Sequence, residues 1–447
     1  MPRRISANRA SSGEFGRCNP SRILRHWRVL CETIGERRAG TQGETEAGNY
    51  VVEQFTNCEL APVQVEPFPC LSVRDARVDL RIQTGQGSEK IAARSLAGAA
   101  ATPGGREVSG ALVWVEMPEQ AERFFNKSLR GKIAVLFGPM PTSAPLHRKL
   151  VAAAPAAVIH VDDRLPFDWL KDDGVYPLWA RRFGMPPTVT VPYRVAWDLK
   201  QRGATRARVR VILDQRQSTS QNVVGEIQGR SQNLPIVLAS AHHDTQCNNA
   251  GADDNASGVV ALLELAAMLG RTRPLRTIRL VSFGTEEQLS VGSAQYVQQH
   301  HSELAAIGAV LNMDSIASVL GHNLILRAGR AEFGQCIRKQ LARNGFDTVE
   351  NADVCPFVDA FPFSVSGIPS ITLIRPNMSG LMRWQHHSAF DNLGQVSISE
   401  TARGINAIGG LISFLANRST WPFRRGLAPE QQARTVQFAR DLYGMRV

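Results

Sequence analysis

Beyond residue 221, apolar strand-like runs alternate with helix-like stretches: NLPIVLASAH, SGVVALLELAAML, TIRLVSFGT, AAIGAVLNMDS, a helix from about Glu332, and IPSITLI. Short runs that are apolar at every position suit strands covered on both faces, and their alternation with helices implies a mainly parallel mixed sheet flanked by helices. That is an α/β architecture. In such a sheet the carboxyl ends of the strands open on one crevice, where residues distant in sequence meet.

Four acidic or histidine-bearing clusters lie just after apolar strands: AHHDT, GADDNASG, GTEE and NMDS. A fifth, HHSAFDN, follows IPSITLI after a loop. Imidazole nitrogen and carboxylate oxygen are zinc ligands, and a catalytic zinc keeps one position open. His242, Asp253, Glu287, Asp314 and His387 supply five ligands. If Asp253 bridges two ions, each ion also gains one histidine and one terminal carboxylate, so the expectation is two Zn2+ per chain. Glu286, beside a ligand but not itself one, is expected to act as general base and acid. Asp244 is expected to orient His242 through its second ring nitrogen, and Asp391 to support the His387 loop.

Each motif alone has a plainer reading, since acids before a helix are usually caps and a Glu pair after a strand is usually a solvated loop. Capping gives no reason for this series of ligand types at successive strand ends. His242 is preferred to His243, and His387 to His386, by spacing to the partner aspartates, because neighbours on an extended segment point opposite ways. Asn255 or Ser257 is expected to cap the helix after GADD, and Gly258 to permit close packing. Cys247 is read as a bystander.

A length of 447 residues suits two domains. Residues 1–22 form a basic segment expected to be flexible. Residues 23–67, with Thr41 and Glu44 spaced as a capping box, join 215–447 in the catalytic unit. Residues 68–214 carry the strand-like ARVDLRIQT, GALVWVEM, GKIAVLFG and AAVIHV and are expected to form an inserted smaller α/β domain. The net charge of +11 comes from dispersed arginines, which argues against nucleic-acid binding, and no apolar run has the length of a membrane span. The N-terminus lacks a signal-like apolar stretch and leans towards the cytoplasm, with a secreted or periplasmic protein left open. Seven cysteines without CxxC spacing read as free thiols, at least one of them necessarily unpaired within the chain.

Taken in order, AHHDT, GADDNASG, GTEE, NMDS and HSAFDN resemble the co-catalytic zinc peptidases that include bacterial leucyl aminopeptidases, glutamate carboxypeptidase, the transferrin receptor ectodomain and glutaminyl cyclase. SGALVWVEM, RGKIAVLFG and APAAVIHVDD are similar to segments of the protease-associated domain that some members carry. The resemblance implies an exopeptidase acting on peptides or small proteins, foremost an aminopeptidase, with Asp253 bridging and a cis bond from Asp253 to Asp254. It also brings in carboxypeptidase action, for which Arg327, Arg375 and Arg383 are candidate carboxylate holders, single-zinc glutaminyl cyclisation, and a non-catalytic receptor. Two features depart from the family: Ala360 follows Asp359 where relatives have histidine, and no tyrosine lies between Tyr296 and Tyr443 to hold an oxyanion.

Overall fold

A computed structural model describes residues 16–115, 123, 125–162, 167–171 and 174–445. Residues 1–15, most of the basic segment expected to be flexible, lie outside the described residues. The rest of that segment leads directly into a helix, Pro20–Arg28, capped by the Asn19 side chain.

The strands Ile236–His242, Ile278–Phe283, Ile307–Met313 and Ser370–Ile374 lie in one sheet and pair in parallel. All of their residues are buried except Ile236 and Arg279, which are partly buried, as their mainly apolar runs require. Register sets Phe283 opposite His242 and Asn312 opposite Ser240. Three strands therefore end nearly level, and the residues that follow emerge along one rim. Leu324–Ala328 adds antiparallel to the 370–374 strand and Val349–Asn351 follows it, making the sheet mixed.

Helices Ala256–Leu269 and Ile398–Ala416, with the N-terminal helices, pack on one face. The other face is closed by Tyr296 and Phe363 against Phe283. Trp27 is fully buried and its indole N–H donates to Ala252 O at 2.9 Å, so the first helix is fastened beside the GADDN turn. Among the described residues, no helix is long and apolar enough to cross a membrane, and all seven cysteines are free thiols.

Two 22-residue strands, Val63–Thr84 and Arg206–Ile227, pair antiparallel from Val63 and Gly225 to Gln83 and Arg206. At one end Arg206–Ile227 joins the 278–283 strand; at the other it joins Val108–Val115. Lys132–Phe137, Ala157–Val161 and Thr188–Val191 continue the sheet in parallel around separate apolar clusters that include Val135, Ile159 and Val209, or Leu136 and Leu150. The positions 68 and 214, chosen from sequence as edges of an insertion, fall inside these paired strands.

Candidate metal centre

His242 is the last residue of its strand, with its Nε2 atom 3.3 Å from Asp254 Oδ1, 3.8 Å from Asp314 Oδ1 and 3.9 Å from Glu286 Oε2. His387 Nε2 lies 3.1 Å from Glu287 Oε2 and 3.6 Å from Asp254 Oδ2. Asp254 belongs to both groups close enough to share an ion, His242–Asp254–Glu287 and Asp254–His386–His387; with Asp314 beside His242 and Glu287 beside His387, assignment by the nearest histidine gives two triads that share Asp254. Ligand atoms about 2.1 Å from a tetrahedral ion stand about 3.4 Å apart, and these separations bracket that value.

The residue between the histidines is Asp254 rather than Asp253, which corrects the expectation from sequence. The Asp253 carboxylate turns away and accepts from Ala317 N at 2.9 Å and from Gln385 Nε2 at 3.1 Å. Where the chain turns into a helix, adjacent side chains diverge, and Asn255 takes the cap by accepting from Gly258 N at 2.8 Å. The cis peptide bond likewise lies between Asp254 and Asn255, not between Asp253 and Asp254. Gly258 allows the helix to meet the neighbouring strand, since a Cβ there would stand 2.4 Å from Met313 O.

Behind these atoms a layer of carboxylates fixes the backbone. Asp244 accepts from Glu286 N at 2.9 Å and from Glu287 N at 3.1 Å, and lies 3.4 Å from His242 Nδ1. One side chain therefore sets the imidazole and both glutamates. Asp391 accepts from Asp253 N and Asp254 N at 2.7 and 2.9 Å. Of the first histidine pair, His243 faces away, its Nδ1 2.9 Å from Ser282 Oγ. The second pair does not alternate: His386 Nε2 is 2.9 Å from Asp254 Oδ2, and its ring stacks on His387 at 3.5 Å. His387 has a φ of 56°, which takes the segment out of the extended geometry on which alternation rests. Thr285, Leu289, Ser290 and Ser315 also adopt positive φ beside the cluster, a costly backbone that concentrates at functional sites.

Sequence reasoning missed two supports. Glu44 forms only half of the expected capping box: its amide donates to Thr41 Oγ1, but its carboxylate accepts from Gly40 N, Ser220 Oγ and Thr285 N. It pins the residue before Glu286. Arg37 is fully buried and donates to the carbonyls of His243, Gly251, Ala250, Gly35 and Leu30. Both lie some 200 residues before what they hold, and local patterning accounts for them without it. Of the three arginines singled out, Arg327 pairs with Glu350 and Arg375 with Ser318 O and Asn323, whereas Arg383 Nη2 reaches Asp254 Oδ2 at 3.2 Å. Cys247 lies against Arg38. Tyr443 spends its hydroxyl on Pro356 O at 2.7 Å.

The electrostatics are those of a site short of positive charge. Burial, reinforced by neighbouring carboxylates, raises the Glu286, Glu287 and Asp391 carboxyls, and pushes Asp253 and Asp359 up to about 7. At Asp254 burial acts in the same direction, but His242, His386 and Arg383 outweigh it and hold the group well below the usual range. His242 Nε2 and Glu287 Oε1 are buried without hydrogen-bond partners among the described residues. Divalent cations would satisfy both atoms and offset the crowded carboxylates, so the donor set fits zinc. A groove of about 960 Å3 lined by Leu178, Gln288, Leu289 and Arg425 runs nearby, but no candidate ligand lines it.

Residues 222–409 match peptidase family M28. Aminopeptidase YwaD of Bacillus subtilis is 24% identical over 387 residues, covering 82% of this chain and 78% of the relative. Carboxypeptidase Q of Xenopus laevis is 24% identical over 386 residues, covering 82% and 79%. The solved structure of BSAP, a zinc aminopeptidase from Bacillus subtilis, superposes with a TM-score of 0.73 at 20% identity, covering 92% of this chain and 98% of that one, which shows a common fold.

Proposed function

We propose, from the match of residues 222–409 to peptidase family M28, that this chain is an aminopeptidase with two zinc ions, one held by His242, Asp254 and Asp314 and the other by Asp254, Glu287 and His387. It is a zinc-dependent exopeptidase, and peptides are its substrates. The observation that carries the assignment of ligands is the pair of triads sharing Asp254, with contacts of 3.1–3.8 Å.

Zinc, when bound, supplies Lewis acidity that polarises the scissile carbonyl and lowers the pKa of water. Glu286 stands 3.9 Å from His242 Nε2, and Ser290 Oγ donates to its other oxygen at 3.1 Å. In this reading Glu286 takes the proton of the attacking water and returns it to the departing amine. The Asp244 carboxylate holds the Glu286 amide while the reaction proceeds, and burial keeps bulk water away from the base.

Segment 68–214 is read as a protease-associated-like insertion that narrows the cleft. Its Trp169 ring meets Trp384 at 5.6 Å and Phe390 at 5.0 Å, on the loop that carries His387. An aromatic wall there suits short or extended peptides better than folded protein.

A peptide-library digest with the zinc-loaded protein, followed by mass spectrometry, tests the assignment. Loss of residues from amino ends is expected. Trimming from carboxyl ends would transfer the reading to carboxypeptidase action.

A further inference from the structure

Water attack on an amide carbonyl puts negative charge on the carbonyl oxygen, and a preorganised donor aimed at that oxygen is worth a large part of the catalysis. Tyr443 does not serve, since its hydroxyl donates to Pro356 O. Another group has the required chemistry: a guanidinium offers five N–H donors in a fixed fork and stays charged even when buried.

We propose that Arg383 is the oxyanion donor of this enzyme. The proposal rests on the aminopeptidase reading, and four observations carry it. Arg383 Nη2 lies 3.2 Å from Oδ2 of Asp254, the carboxylate common to both triads, so its fork borders the ligand cluster. One amino group is used in that contact, while Nε is buried without a hydrogen-bond partner among the described residues. The backbone on both sides is clamped to Asn377, with Asn377 N and Met378 N donating to Met382 O at 3.2 and 3.1 Å and Trp384 N donating to Asn377 Oδ1 at 3.1 Å. Finally, Arg327 and Arg375 are committed to structural partners at 2.8 Å or closer, which leaves Arg383 as the arginine of that group directed at the cluster.

A guanidinium stays protonated in proteins, so the group donates throughout the neutral range. During reaction no proton leaves Arg383: Glu286 carries the transferred proton, and the guanidinium donates hydrogen bonds to the tetrahedral oxygen until the carbon–nitrogen bond breaks.

Arg383→Met and Arg383→Lys, made in the full chain and loaded with zinc, test this. Turnover of a leucyl anilide, which has no carboxylate, is expected to fall about 100- to 1000-fold in the Met variant. Zinc content by elemental analysis should stay at the wild-type value. Affinity for a leucine-derived phosphonate, a tetrahedral mimic, should fall in parallel while that for leucinamide is unchanged, and added guanidinium should restore part of the turnover. A kcat within threefold of wild type would overturn the proposal. So would loss of zinc in both variants, which would make Arg383 only a support for Asp254, or a loss confined to KM for peptides with a free carboxyl end. Wild-type protein that binds zinc but trims no amino end sinks the aminopeptidase reading; the phosphonate comparison still decides Arg383.

Discussion

Adjacent aspartates in the GADDN turn should respond very differently to the same change. Asp254 lies between His242 and His387, at 3.3 and 3.6 Å, and its surroundings hold it ionised. Asp254→Asn removes that charge and leaves one ligand oxygen where the two triads had shared two. Loss of a residue that merely orients a zinc ligand costs 10- to 100-fold in affinity. A shared ligand should exceed about 100-fold, or about 2.7 kcal/mol at 1.36 kcal/mol per decade. Asp253, by contrast, is pushed up to about 7, so near neutral pH a large share of it is already neutral and an amide mimics that form. Asp253→Asn keeps an oxygen for Ala317 N and disturbs only the contact with Gln385, a cost of roughly 1 kcal/mol. Zinc affinity should then change less than about tenfold. Competition with a chromophoric chelator measures both variants on one scale. The geometric argument fails if Asp253→Asn sheds zinc while Asp254→Asn retains it.

Further expectations concern the base, the buried arginine and the N-terminal helix. Glu286→Gln should leave zinc stoichiometry intact and lower kcat by about 100- to 10,000-fold, read by anilide turnover beside metal analysis. Arg37→Met strands carbonyls of the 243–251 segment and, at about 1–3 kcal/mol for a buried group left unpaired, should lower unfolding free energy by at least that much in urea titration; a change under about 1 kcal/mol would contradict its structural weight. His26 is lowered to about 4, chiefly by burial with help from Arg25 and Arg22, while Glu264, 3.9 Å away, is already paired with Arg22. The unfolded chain therefore binds the extra proton between the ordinary pKa near 6.5 and about 4, and stability falls as pH drops through that window by on the order of 3 kcal/mol. His26→Gln should flatten this slope in chelator-treated protein, measured by unfolding at pH 4.5 and 7.

The parallel sheet was legible because buried strands need unbroken apolar runs, and the ligand types were legible because the strand ends place them together. What side-chain type cannot reveal is direction. Asp253 and Asp254 are chemically identical, and only the turn into the helix, with Asn255 as cap, decides which one faces His242. Glu44 illustrates a second limit: its spacing from Thr41 satisfies a local rule, yet its carboxylate reaches Thr285 across the fold. Arg383 was legible as a candidate carboxylate holder, but its place beside Asp254 depends on a loop pinned through Asn377.

The paired strands 63–84 and 206–227 have a consequence for engineering. Val73 faces Gln215 across the ribbon, and on the catalytic side the two strands stay in register as far as Val63 and Gly225. Facing residues of an antiparallel pair can be joined by a two-residue turn. A tight hairpin spliced there would therefore excise everything between them, and a foreign module could be seated at the same junction. The ribbon acts as a graft point, through which such a chain can exchange the walls of its cleft while the catalytic machinery keeps its own hydrogen-bonded frame.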